Sequence, residues 1–414
     1  MKMHPIISAL RRHKAGVLLI VLQVALTLAI VCNAIFVIGQ RIERVNRPTG
    51  AVEEGLIRIS QTWFGAPTGS DAASVEKLDA LQRTDLATLR NLPGVQEVSA
   101  STSMPLQGMI YSGTLSLDPQ QTGLTASAAY YYGDEHLRRV LGLRLIAGRD
   151  FKQDEILHHA LGDNAVSPVI IVSKPVADRL FPGGSALGKT VYQDGKPATI
   201  VGIVQRLQTP TTAKWGSAWD YNSVLEPVRA DGASASYAVR ARAGSEEAVM
   251  REARKALMTV DPLRVMPDTW GIQSFATIRD KVYRADRGMA LVMATVCLIL
   301  LGVTGAGITG LTTFWVGQRR KQIGVRRALG ARRIDILRYF QIENLFIVGI
   351  GALLGVLLAI GLNLWLMAHY EMLRMPSGYV LTAVVALLAI GQASVWLPAR
   401  RASRVPPVVA TRPV

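Results

Sequence analysis

Four runs of this chain stay apolar, without interior charge, for as long as a membrane crossing requires. Residues 17–39, 289–316, 345–367 and 380–397 hold no Asp, Glu, Lys or Arg, and about 20 apolar residues suffice for a helix to span the hydrocarbon core. Residues 40–288, between the first two runs, are patterned instead as a water-soluble fold. Residues 56–60 read as a strand, 75–92 as an amphipathic helix, and 95–101 as a strand after the turn Pro93-Gly94. The same rhythm returns later, with a strand over 236–242, a helix over 246–260 and a strand over 264–269. In that helix Val249, Ala253 and Leu257 stand at helical spacing. Two strand–helix–strand units flanking an insertion predict a split ferredoxin-like part. The insertion, about 105–230, reads as mostly β, from apolar β-branched runs at 167–173 and 198–204 and turns at Pro182-Gly183-Gly184 and Asp194-Gly195. The expected fold class is a membrane protein: an α-helical transmembrane part of four spans with a large α+β extracytoplasmic domain, split ferredoxin-like with an inserted β-rich part.

Charge orients this pattern. Half of the 414 residues are hydrophobic and the net charge is +16. Residues 1–16, 317–340 and 398–414 carry sixteen of the 46 basic residues and one acid, Asp335; the rest of the chain holds 30 basic and 29 acidic residues. The positive-inside tendency puts these three flanking segments in the cytoplasm, N-in and C-in. The chain then divides into a cytoplasmic amphipathic helix (1–16), a first span (17–39), an extracytoplasmic domain (40–288) and a second span (289–316). A cytoplasmic loop (317–344), a third span (345–367), a short outer loop (368–379), a fourth span (380–397) and a basic tail (398–414) complete it. In the first segment Ile6, Ile7 and Leu10 lie beside Arg11, Arg12 and Lys14, as in a helix lying on a membrane surface. Charge placed this way meets anionic membrane lipid or a protein partner, and argues against nucleic acid as the partner.

Residues 17–39 are expected to be a retained anchor, since the apolar region exceeds a signal peptide's and no small-x-small cleavage site follows. The two cysteines, Cys32 and Cys297, both fall inside expected spans, so no disulfide framework is expected to hold the outer domain.

Gly183-Gly184-Ser185-Ala186-Leu187-Gly188-Lys189-Thr190 matches the phosphate-cradling pattern GxxxxGK[ST] in full. That chemistry needs a strand entering and a helix leaving, so that the helix N-terminus faces the phosphate. Here 176–181 reads as a helix entering and 190–192 as a strand leaving, so the match is expected to be a decoy. His158-His159 lack neighbours of metal-ligand spacing and read as a solvated loop. No catalytic constellation, metal set or cofactor motif is expected in the chain.

Small residues recur every four positions at Gly302, Ala306 and Gly310 in the second run and at Gly351, Gly355 and Ala359 in the third. They predict helix-packing faces for helix or subunit association. Gln23, Thr27, Asn33 and Gln392 are expected to form interhelical hydrogen bonds. With no charge inside the runs, no ion-coupled path is visible, and energy must come from elsewhere.

The loop at 319–333 is the densest basic segment, yet Ile323, Gly324, Val325, Ala328, Leu329, Gly330, Ala331 and Ile334 are ordered among its arginines. A topology anchor has no need of them. Ile323, Ala328 and Leu329 are expected to fill a partner's groove while the arginines meet acids or lipid headgroups.

Residues 320–331, Arg-Lys-Gln-Ile-Gly-Val-Arg-Arg-Ala-Leu-Gly-Ala, resemble the basic stretch after the second span of MacB/FtsX-family permeases. Pro398-Ala399-Arg400-Arg401-Ala402-Ser403-Arg404 with Pro406 resembles that family's C-terminal pattern. Gly148-Arg149-Asp150-Phe151, Leu180-Phe181-Pro182-Gly183 with Gly188-Lys189, and Ile200-Val201-Gly202-Ile203-Val204 are similar to segments of the MacB-like periplasmic core. The resemblance implies a type VII ABC transporter subunit of the bacterial inner membrane, with a split porter part and an insertion in its periplasmic domain. It implies pairing with a second permease, copy or paralogue, each docked to a cytoplasmic ATPase that binds the ATP and magnesium, and a periplasmic membrane-fusion adaptor as a further partner. The docking residues so implied are Gln322, Ile323, Gly324, Arg326, Arg327, Ala328, Leu329 and Gly330. The family often has Glu where Gln322 stands, and a salt bridge from that position cannot form here. The expected function is a non-enzymatic permease moving an amphiphilic peptide, lipoprotein or drug by mechanotransmission. The alternative is an FtsX-like signalling protein that activates a periplasmic cell-wall hydrolase.

Overall fold

The computed structural model describes residues 14–69, 71–160, 166–212, 218–370 and 373–404. The expected surface helix at 1–16 lies outside them except for its last three residues. The same holds for the end of the basic tail, beyond residue 404. Two compact units form, one from Met1–Asn46 with Ala285–Val414, the other from Arg47–Arg284. In chain order the elements are α1 (Lys14–Val45), β1 (Leu56–Trp63), α2 (Ala72–Arg90), β2 (Val95–Ala100), β3 (Tyr111–Ser116), β4 (Thr125–Gly133), α3 (Leu137–Leu141), β5 (Leu145–Gly148), β6 (Leu157–Ala160), β7 (Val169–Ser173), α4 (Lys174–Leu180), β8 (Thr190–Gln193), β9 (Lys196–Val204), β10 (Ser223–Asp231), β11 (Ser234–Ala241), α5 (Glu246–Val260), β12 (Arg264–Val265), β13 (Ile272–Ser274), α6 (Phe275–Gln318), α7 (Arg320–Ala328), α8 (Arg333–Tyr370) and α9 (Ser377–Ser403).

In the Arg47–Arg284 unit, β12-β1-β11-β2 form an antiparallel sheet in that order, with β13 also on β1. This is the ferredoxin-like arrangement expected from the two strand–helix–strand units, split between β2 and β11 by the insertion. Alternation sorts the strands' side chains onto two faces. Ile57, Ile59, Trp63, Tyr237 and Val239 pack with Leu86 and Leu89 of α2 and Val249, Ala253 and Leu257 of α5. Arg58, Ser60, Thr62, Ser234 and Ser236 take the other face, where Ser60 Oγ lies 3.0 Å from Ser236 Oγ and Thr62 Oγ1 2.8 Å from Ser234 Oγ. The strand expected over 264–269 is shorter: Pro267 cannot donate to a ladder, and its carbonyl instead accepts from Gly271 N at 2.6 Å.

The insertion is a ring of strands, β4-β3-β8-β9-β7-β10, closed by parallel pairing of β10 with β4. The Asp194-Gly195 turn joins β8 to β9 in a two-residue hairpin, with Gln193 opposite Lys196. Leu115, Ala128, Ile170, Val191, Ile200 and Val224 fill the interior. Glu226 on β10 is 1% exposed. Burial pushes its pKa up to about 7, and burial with the Asp79 charge does the same to Asp231 at the end of that strand. A carboxyl whose pKa rises on folding binds its proton more tightly in the native state. The stability it contributes is therefore full below about pH 4.5 and lost as pH rises through about 7. Glu135, held down to about 2 by its hydrogen bond to His136, has the opposite slope but below this window. The melting temperature of this unit is expected to fall between pH 4.5 and 7.5. Glu226→Gln should flatten the fall by about 3 kcal/mol, at 1.36 kcal/mol per pKa unit; an unchanged slope in that variant would contradict the assignment.

In the other unit, α1, α6, α8 and α9 are each long and apolar enough to cross a membrane. Each helix outruns the apolar stretch expected within it, because helical geometry continues past the lipid boundary into polar residues. Pro398, expected at the start of the basic tail, lies inside α9, which runs on to Ser403. The expected interhelical hydrogen bonds form. Gln23 Nε2 donates to Val303 O at 3.2 Å, Thr27 Oγ1 lies 2.9 Å from Thr304 Oγ1, Asn33 Nδ2 donates to Ala359 O at 3.2 Å, and Gln392 Nε2 donates to Gln341 O at 3.4 Å. Asn344 Nδ2 adds a bond to Gly391 O at 3.0 Å. Each removes a polar group from lipid and fixes the register of one helix on another.

Candidate functional site

The segment between α6 and α8 is where ordered apolar residues and arginines coincide. α7 starts where Arg319 forks onto Glu343 of α8, Nη1 lying 3.0 and 2.9 Å from the two carboxylate oxygens; Glu343 is 3% exposed. No local pattern links this pair, because Glu343 stands 24 positions away and only the tertiary fold joins them. α7 ends in a Schellman motif: Gly330 N donates to Arg327 O at 3.2 Å and Ala331 N to Arg326 O at 3.1 Å, with Gly330 at φ +97°. That left-handed position favours glycine, so Gly330 shapes the turn. On the far side of the turn, Asp335 Oδ2 accepts from Arg332 N at 2.9 Å and caps α8.

α7 is two-faced. Ile323 and Gly324 are buried against the unit's own core, with Ile336, Phe340, Ala399 and Ala402. Arg327 turns the same way and donates Nη1 to Ser403 O at 3.1 Å. The expectation that Ile323 fills a partner's groove does not hold: its side chain is committed to this core. The opposite stripe, Gln322, Val325, Arg326 and Leu329, is exposed at spacings i, i+3, i+4 and i+7. Leu329 is 83% exposed at its tip, Ala328 is exposed beside it, and Arg326 is held in place by the Tyr339 ring, 5.0 Å from its guanidinium carbon. Of the eight expected docking residues, the structure therefore presents Gln322, Arg326, Ala328 and Leu329 outward together with Gly330, and turns Ile323, Gly324 and Arg327 inward.

The small-residue stripes divide in the same way. A Cβ on Gly351 would meet Val24 Cγ1 at 2.7 Å, and one on Gly355 would meet Leu28 Cβ at 2.8 Å, while Ala359 is fully buried. This stripe is the seat of α1 on α8. Gly302 and Gly310 have no atom from elsewhere in the described residues within 4 Å of an added Cβ, and Ala306 between them is exposed. At the other end of α1, Arg41 pairs with Asp286 of α6, which Arg44 also approaches at 3.9 Å.

Two further sequence features resolve in the other unit. The Gly183–Thr190 pattern, residues 183–190, follows α4 and precedes β8, the reverse of a phosphate-binding loop. His158-His159 lie on strand β6, parallel to β10, and not in a loop. His158 comes near Glu76 and Asp79, all within 4.8 Å in ligand-type atoms. Asp79, however, is already paired with Arg83 at 2.7 Å and Arg229 at 2.7 Å, and Glu76 with Arg83 at 2.7 Å. Two guanidinium groups neutralise the carboxylates a cation would need.

Residues 18–256 match the family model of the MacB-like periplasmic core domain, and 294–407 that of the FtsX-like permease C-terminal region. A macrolide export ATP-binding/permease protein, MacB, of Neisseria gonorrhoeae is 29% identical over 319 residues, covering 75% of this chain and 46% of that protein. The MacB of Shigella boydii is 24% identical over 410 residues, covering 97% and 58%. The chain thus spans about half the length of these curated relatives. The crystal structure of the periplasmic region of MacB from Actinobacillus actinomycetemcomitans is 15% identical, with TM-score 0.34, covering 58% of this chain and 97% of that one. With four apolar helices and both models in order along its length, the chain is a multi-pass inner-membrane protein and belongs to the family of ABC transporter permeases with a MacB-like periplasmic core domain and an FtsX-like C-terminal region.

Proposed function

We propose that this chain is the permease subunit of a type VII ABC transporter and that a separate cytoplasmic ATPase docks on the outward stripe of α7. The observation that carries this reading is Leu329, a large apolar side chain 83% exposed at the end of a stripe with Val325 and Gln322. An amphipathic helix seats such a stripe in a partner's groove through i, i+3, i+4 and i+7 anchors. Gln322 on that stripe is uncharged, so docking here relies on apolar contact and Arg326. The Gly302, Ala306 and Gly310 face supports pairing with a second permease, as a copy or a paralogue, because small residues let helix backbones approach closely. ATP-driven closure of two motors would then reach the periplasmic domains through the long helices, for export or extraction of an amphiphilic cargo. A membrane-fusion adaptor and lipid headgroups are further partners in this reading.

Burying one leucine side chain is worth about 1.5–3 kcal/mol, and each 1.4 kcal/mol is tenfold in affinity. Leu329→Asp with Arg326→Asp is therefore expected to weaken co-purification of the ATPase by on the order of 10–100-fold, with the permease itself still folded, since both side chains are exposed. Full retention of the ATPase by that variant would overturn the reading.

A further inference from the structure

The polar face of the β12-β1-β11-β2 sheet borders a cavity of about 280 Å³. Ser60, Thr62 and Ser236 line it from the sheet, and Thr102, Tyr111 and Tyr132 from the start of the insertion and its strands. Small-molecule sites typically measure ~300–1,000 Å³, so the space suits one small molecule or one end of a longer one.

Arg58, itself half-buried, lines the same cavity and differs from the buried arginines of its unit. Arg264 forks onto Asp85 at 2.9 Å, and Arg240 donates to the carbonyls of Val140, Glu54 and Val52 at 2.7–2.8 Å. Arg58 has no carboxylate in ion-pair range among the described residues, and its buried Nε donates to nothing. Burial holds its guanidinium below the usual arginine range, with no charge partner among the causes. Thr102 Oγ1, on the same cavity, is also buried without a partner. Buried polar atoms are ordinarily satisfied, and a partly desolvated charge without a partner is costly to keep. Beside these two orphans stand the Tyr111 and Tyr132 rings, 5.4 Å apart, with Met109 60% and Trp270 47% exposed. A guanidinium fork matches a carboxylate or phosphate with two parallel hydrogen bonds, and the rings and thioether offer an apolar wall next to it.

We propose that this cleft binds an anionic amphiphile, its carboxylate or phosphate on Arg58 and its apolar or aromatic body against Tyr111, Tyr132, Met109 and Trp270. The proposal deepens the permease reading by naming the head group a cargo carries. It rests on that reading only for the bound molecule being cargo; binding itself needs no ATPase, so the two claims fail separately.

The test uses the full chain in phosphatidylcholine nanodiscs, irradiated with a benzophenone carboxylate or with its neutral primary amide, and read by peptide mass spectrometry. The acid is expected to label peptides carrying Met109, Tyr111, Tyr132 or Trp270 at least tenfold more than the amide. Arg58→Gln removes that preference and Arg58→Lys keeps part of it. Thermal unfolding of the same discs separates binding from a structural role. Arg58→Met should raise the melting temperature of the outer unit, because an unpaired and partly desolvated charge is gone, and should abolish the rise that the acid gives the unsubstituted chain. Adding phosphatidylglycerol distinguishes the sources: competition assigns the anion to a lipid headgroup on Arg58, and its absence to a free amphiphile. Equal labelling by acid and amide, labelling indifferent to Arg58→Gln, or a lower melting temperature in Arg58→Met overturns the proposal.

Discussion

Asp85→Ala is expected to cost the periplasmic unit about 3–5 kcal/mol, the usual penalty for removing one partner of a buried ion pair. Asp85 and Arg264 side chains are each 1% exposed and bond through two contacts of 2.9 Å. The same carboxylate accepts from Tyr237 at 2.9 Å and from Gln61, so one group on α2 ties β12, β11 and β1. Strand β12 pairs with β1 over two residues, Arg264 and Val265. Its place in the sheet therefore rests heavily on this network. Truncation leaves the Arg264 charge buried without a counter-ion. Against a typical domain stability of about 5–15 kcal/mol, that loss is a third or more. Hydrogen exchange on the full chain should show α2 and β12 opening together, and a cost under about 1 kcal/mol would mean the pair acts like a surface one. Replacing both residues by apolar ones, Asp85→Leu with Arg264→Met, should recover most of the loss.

The second large effect is in the span bundle and is a contrast between two glycines. Gly355→Val is expected to displace α1 from α8, since even a Cβ meets Leu28 Cβ at 2.8 Å and Ala25 O at 2.9 Å. Backbone oxygen cannot give way as a flexible side chain can. Overpacking of this kind costs about 1–3 kcal/mol, and here it also strains the Asn33 bond to Ala359 one turn on. At Gly302, by contrast, an added Cβ has nothing from elsewhere in the described residues within 4 Å, so Gly302→Val meets no such obstacle at its first carbon. That variant should leave the folded monomer's melting temperature in detergent unchanged and act on subunit pairing instead. Equal destabilisation of the monomer by both would contradict the assignment of the two stripes.

These two stripes mark the limit of what the chain discloses before folding. By composition and spacing, Gly302, Ala306 and Gly310 are indistinguishable from Gly351, Gly355 and Ala359. Which one seats α1 depends on where Val24 and Leu28 fall. The same limit applies to α7. Ile323 and Leu329 are equally apolar, and the inward choice is made by Ile336, Phe340 and Ala399 from segments far along the chain. The ferredoxin-like units were legible because each carries its own alternation and helical period, with turn residues between. The closure of the insertion was not, because parallel pairing of β10 with β4 joins strands about 95 residues apart, as at Ser223 and Ala129, and leaves no local pattern. Arg58 reads as an ordinary strand residue until the absence of a nearby carboxylate is known.

The central claim, that the outward stripe of α7 is where an ATPase docks, is tested most directly by placing a photoreactive benzoylphenylalanine at Leu329 or, separately, at Ile323, in living cells. The account predicts a crosslink from position 329 to a protein identified by mass spectrometry as an ATP-binding subunit, and from position 323 to α8 or α9 of the same chain. Crosslinks from 329 to lipid alone, or to the ATPase from 323 and not from 329, would contradict it.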